Sequence, residues 1–297
     1  MTRRLVSQAA ATIVAFGLPA FSAELPSDHR PVISPDGETI VFMSTREDGD
    51  WELFSIGIDG SDLKRVTRNP GWDGYAVWAP DGRSFIFDRE VDGARGAYKY
   101  DRESDAISPF LVMDGARVAV SGWSTRNNQV VMFIERDGKR DLYVADSDGS
   151  DLEQLTDTPD ANEHEAHYSP DGERIAFAVS YEGGSAIDVM NLATKKVSRL
   201  VSSSQNVYGL DWSPDGNRIA FTDTPNDDPD GNAELYLLDL LTGQTHRLTN
   251  DENYDHMPVW LPDGSAILFT SYASGREEIY LLDLESSRVR TFPSGLE

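Results

Sequence analysis

Three of the five histidines in this 297-residue sequence directly follow an acid, in Asp28-His29, Glu163-His164 and Asp255-His256. Imidazole nitrogens and carboxylate oxygens bind divalent cations, and the same groups hydrogen-bond polar ligands. Each pair precedes by four residues a large apolar residue of a recurring pattern: Ile33, Tyr168 and Trp260. The equivalent places elsewhere hold Asp73-Gly74 before Trp78, Val118-Ala119 before Trp123 and Val207-Tyr208 before Trp212. His29, His164 and His256 are therefore candidate metal ligands. Asp28, Asp73, Glu163 and Asp255 are candidate ligand-binding residues, placed to complete an oxygen-rich shell or to fix the ring tautomers from behind. The bland reading is that these polar side chains hydrate an opening or cap turns. His167 could add to such a site, whereas His246 falls in an outer strand.

A second chemical pattern is Asn226-x-Asp228-x-Asp230-Gly231, which matches the first half of a calcium loop. Its twelfth position is Leu237 rather than a bidentate acid. Ordinary turn chemistry explains the same residues without an ion. Other chemistries are missing: there is no Gly-x-Ser-x-Gly elbow, no phosphate-binding glycine loop and no His-Glu-x-x-His helix. Any catalysis would have to use the histidine column, and the expectation is a protein that is not an enzyme.

A repeat must position these residues. At the repeat spacing Pro-Asp-Gly stands at 35–37, 80–82, 170–172, 214–216 and 262–264, and the doubled interval marks a worn copy at Trp123-Ser124-Thr125-Arg126-Asn127-Asn128. Five and seven residues after each proline stand pairs such as Ile40 and Phe42, Phe85 and Phe87, and Ile267 and Phe269. Alternation of β-branched and aromatic residues at period two is the mark of a half-buried strand. An acid-aliphatic-aromatic strand follows, as in Glu52-Leu53-Phe54 and Glu234-Leu235-Tyr236. A hairpin signal such as Asp59-Gly60 then leads to a short strand ending Val66-Thr67 or Leu248-Thr249. Four short strands repeated six times predict an all-β fold, a six-bladed β-propeller of four-stranded antiparallel blades, over residues 24–297. Tight, alike turns then share one face, and the variable links share the other, where binding loops belong.

The pattern Trp-Ser-Pro-Asp-Gly, Ile-x-Phe, Leu-Tyr and Leu-Thr resembles the TolB-type propeller repeat of bacterial exported proteins. The resemblance covers about residue 27 to the end. It implies the propeller fold and is compatible with binding proteins, peptidase accessory domains and polysaccharide lyases. TolB itself carries an α/β domain ahead of its propeller, which is not expected here. The resemblance points first to a non-catalytic binding propeller that engages a protein or cell-envelope macromolecule through the loop-rich face and channel mouth. Its rivals are a metal-dependent, polysaccharide lyase-like enzyme with a divalent metal at the channel histidines, and a structural envelope protein.

Charge and leader set the surroundings. The chain holds 51 acidic and 26 basic residues, a net charge of −25. Such a surface repels nucleic acid and anionic membranes and favours a basic partner. Arg3 and Arg4 precede an uncharged run from Leu5 to Ala23 that ends in small residues, the order of a secretory signal over residues 1–23. Location in the periplasm or outside the cell follows, with no membrane insertion and a monomeric state expected. There is no cysteine, so neither disulfides nor a lipidated cysteine anchor contributes.

Overall fold

The computed structural model describes residues 25–47, 49–224 and 232–292. The leader over residues 1–23 and the calcium-like segment at 226–231 lie outside the described residues. No helix among the described residues is long and apolar enough to cross a membrane. The described chain forms six antiparallel sheets, each of four strands consecutive in sequence. The innermost strands are Asp28–Ile33, Asp73–Trp78, Arg117–Trp123, Ala161–Tyr168, Val207–Trp212 and Asp255–Trp260.

The alternating residues bury as their period demands. Phe42, Phe87, Phe177, Phe221 and Phe269 are all shut away from solvent, as are Trp78, Trp212 and Trp260. Apolar clusters straddle every junction between adjacent blades, because one four-stranded unit cannot cover both of its own faces. The acid and threonine of the repeat form a clasp. Thr67, Thr156 and Thr249 each accept the amide of the leucine that follows the third-strand acid, at 2.8–3.0 Å.

The worn third copy keeps its turn without Pro-Asp-Gly. Ser124 N donates to Gln129 O at 2.8 Å, as Ser34 N does to Thr39 O. The left-handed residue moves from glycine (Gly37, φ 78°) to Asn128 (φ 54°), a residue type that tolerates that region.

Among the described residues the ring closes without exchange of a strand between its ends. Asp73 N donates to Trp51 O and Asp255 N to Ala233 O across ordinary blade junctions. Asp28 N donates to Glu277 O at 2.9 Å in the same way, across the junction of the last blade with the first. Ile40, Phe42, Phe54 and Ile56 pack there against Leu268, Ile279 and Leu281.

A bulge interrupts each innermost strand just after the histidine column. In five blades it puts Arg30, Tyr75, Glu165, Gly209 and Met257 in the left-handed region, with φ of 49–57°. A bulge re-aims side chains, which is how a sheet edge lines a channel with chosen residues. The amides released at the bulges are taken up by the preceding blade. Arg30 N donates to Thr270 Oγ1 and Met257 N to Thr222 Oγ1, both at 3.1 Å, and Val120 N to Asp88 Oδ1 at 2.9 Å.

Candidate functional site

The four acids of the column turn away from the positions that follow them, histidine in three blades and Gly74 in the second, since successive side chains leave a strand on opposite sides. Asp28 is fully buried, and both its oxygens accept Arg46 Nη2 at 2.6 Å. Asp73 is equally buried and takes a two-pronged bond from Arg89, at 2.9 and 2.6 Å. Glu163 accepts Thr156 Oγ1 at 3.3 Å, and burial raises its carboxyl above the usual range. Burial likewise pushes Asp255 up to about 6. The expected oxygen-rich shell around the imidazoles is therefore not built from these acids. They serve the blades themselves.

The histidines divide. Those of the first and last blades, His29 and His256, meet at the channel mouth with ring centroids 5.1 Å apart. Glu277, from the link before the third strand of the last blade, stands between them. Its Oε1 lies 3.2 Å from His29 Nδ1 and 3.7 Å from His256 Nε2. Among the described residues these three form the one group of His, Asp and Glu whose ligand atoms all lie within 4.8 Å of one another. Neither nitrogen makes a hydrogen bond, and both are shut off from solvent. A buried polar atom without a partner costs about 1–3 kcal/mol. The cluster thus fits a divalent cation, which two imidazoles and a carboxylate would hold. His164 stands apart from this group and bonds Ser180 Oγ at 3.1 Å. Burial lowers His164, and lowers His167 to about 4.

Aromatic rings surround the cluster. Trp51 packs on His29 at 5.9 Å, and Tyr254 on His256 at 5.0 Å. Tyr208 and Tyr254 share a hydroxyl hydrogen bond of 2.6 Å, and Tyr272, 44% exposed, stands edge-on to Tyr254. All lie on the side of the ring that carries the variable links.

Further along the channel an ion pair spans the axis from the first blade to the fourth. Arg30 Nη2 donates to Glu165 Oε1, and Glu165 Oε2 accepts Gly209 N. Arg30 also lies over the Tyr75 ring, 4.0 Å from its centroid. Burial alone would raise the Glu165 carboxyl, but Arg30, His164 and the Gly209 amide outweigh it and hold it at about 2.

Sequence reasoning missed Glu277, Arg30 and Glu165. Glu277 belongs to a column that does not repeat, shared with Trp51, Arg140 and Ala233, immediately ahead of the third-strand core. A column that varies while its neighbours repeat was the available signal.

The TolB beta propeller domain family matches residues 22–166 and 168–294. A protein TolB homolog of Chlorobium luteolum is 27% identical over 158 residues, 53% of this chain, and the chain spans only 35% of that relative. TolB from Acinetobacter baumannii shares the fold at TM-score 0.71 and 18% identity, covering 89% of this chain and 62% of that one. An oligogalacturonate lyase in complex with manganese does so at TM-score 0.62 and 15% identity, covering 88% and 92%. With six like blades and a family match across nearly all described residues, the chain belongs to the TolB beta propeller domain family.

Proposed function

We propose that this propeller is a binding protein that engages a macromolecular partner through its loop-rich face and channel mouth, without covalent catalysis. The observation that carries this reading is the aromatic mouth itself. His29, Trp51, Tyr208, Tyr254, His256 and Tyr272 gather on one opening, on the face whose links do not repeat. Aromatic anchors in a depression are what protein interfaces use. On the opposite face the repeat turns are self-satisfied, with Asp36, Asp171 and Asp215 each bonding a neighbouring backbone amide. A net charge of −25 adds steering toward a basic partner.

The test is co-purification with the tagged, exported protein. Combined Tyr254→Ala and Tyr272→Ala substitution is expected to weaken capture roughly tenfold, about 1.4 kcal/mol. Ser265→Ala on the turn face is expected to change nothing, and high salt to slow association more than it speeds release. Equal capture by the wild type and the tyrosine variant would sink the reading.

The His29, His256 and Glu277 cluster favours a second reading, a metal-dependent carbohydrate-active enzyme in the manner of the manganese-bound lyase that shares the fold. A divalent ion there would supply Lewis-acid polarisation of a substrate oxygen. Titration calorimetry with Mn²⁺, Zn²⁺ and Ca²⁺ distinguishes the two. Tight stoichiometric binding lost in His256→Ala and kept in His164→Ala supports the second reading, and no heat with any ion removes it.

A further inference from the structure

The central channel holds a cavity of about 290 Å³ whose lining reverses the charge of the chain. Three arginines, Arg30, Arg117 and Arg140, face one carboxylate, Glu165, in a protein with 51 acidic and 26 basic residues. Two of the three are matched. Arg30 pairs with Glu165, and Arg140 Nε donates to Glu135 at 2.7 Å. Arg117 is different: Glu135, opposite it on the next strand, is bonded to Arg140 instead, no described carboxylate lies within ion-pair distance of Arg117, and its Nε is buried without a hydrogen bond. Asp88, the acid whose charge bears on Arg117, is wholly buried and pushed up to about 8 by that burial, so near neutral pH it keeps its proton.

The surplus cation is held in place. Arg117 and Arg140 both lie over the Phe133 ring, 5.3 and 5.4 Å from its centroid. Stacking of this kind fixes the guanidinium plane in advance, and that fork matches a carboxylate. The rest of the lining combines apolar residues, Val77, Leu210 and Val259 among them, with His164, His167 and Ser121. A half-buried guanidinium with a buried, unpartnered Nε beside an apolar wall suits a ligand with one anionic end and a hydrocarbon body.

We infer that the channel binds a small organic monocarboxylate, its carboxylate on Arg117 and its apolar body against the strand residues below. This site uses neither the mouth tyrosines nor the His29, His256 and Glu277 cluster, so it stands or falls independently of the function proposed above.

The experiment is titration calorimetry of the purified protein with benzoate and phenylacetate, run beside benzamide and phenylacetamide, at low chloride with a chelator present. Saturable binding of an acid is expected, with affinity at least tenfold above that of its amide. Arg117→Met is expected to abolish that preference, and Arg117→Lys, which keeps the charge but loses the fork, to weaken it less. Circular dichroism checks that both variants fold, and His256→Ala is expected to bind as the wild type does. If Arg117→Met does not fold, protection of the Arg117 Nε proton by benzoate in the wild type gives the answer. Equal binding of acid and amide, unchanged binding in a folded Arg117→Met, or no binding of either acid would overturn the inference.

Discussion

The blade junctions and the channel mouth begin one peptide bond apart, at Asp28 and His29, yet they are built on opposite terms. Beside the junctions several buried acids are matched: Asp28 with Arg46, Asp73 with Arg89, Glu234 with Arg247 and Thr249. At the mouth, His29 and His256 keep buried nitrogens without partners beside a carboxylate. The first arrangement completes itself, and the second is completed only by something added. Chemical type and sequence position do not separate structural from functional polar residues here. Satisfaction does.

The sharpest way to break this contrast is to unpair a junction acid. Arg46→Met strands a wholly buried Asp28 and is expected to cost about 3–5 kcal/mol, read from the midpoint of a urea unfolding curve. Trp212→Ala should match it at about 3–5 kcal/mol, because it empties a packed junction of a large ring. A loss under 1 kcal/mol in both would mean that the junctions are not what holds the ring.

Asp88 probes a junction acid with a backbone partner but no ion pair within bonding distance. Its folded pKa of about 8 lies above the value near 4 in the unfolded chain. The protonated form is favoured by folding, so its contribution is whole below about pH 4 and is lost as pH rises toward 8. Asp88→Asn removes that dependence. The variant should gain on the wild type between pH 4 and 8, on the order of 2–4 kcal/mol at the upper end. Parallel stability curves for the two proteins over that range would show that Asp88 is ionised in the fold.

The smallest expected effect is at the mouth. His256→Ala should shift stability by no more than about 1 kcal/mol in the absence of metal, because it removes an unsatisfied buried nitrogen along with its packing. A loss of 3 kcal/mol, measured with chelator present, would return His256 to the structural class.

Most of the fold was legible in the sequence because its copies test one another. Trp78, Trp212 and Trp260 share a position, and the third blade could lose Pro-Asp-Gly and still be placed by Trp123, Val130 and Met132. The candidate site was half legible. His29 and His256 stood out as a column, but nothing in the column separates them from His164. Which of the three meet depends on order around the ring, where first and last blades are neighbours. Glu277 was hidden for the same reason, lying 248 positions from the histidine it faces. Arg46 and Arg89, which claim the acids, become visible only once strand register is known.

The manner of ring closure gives the mouth a mechanical meaning. The junction of the first and last blades relies on side-chain packing, the Asp28 to Glu277 backbone bond and the bond from Arg30 N to Thr270, with no shared β-ladder among the described residues. His29 sits on one side of that seam, and His256 and Glu277 on the other. A cation held by the three would be a rivet through the one junction that joins the last blade to the first. Its binding energy would then add directly to the work needed to pull the two ends of the circle apart.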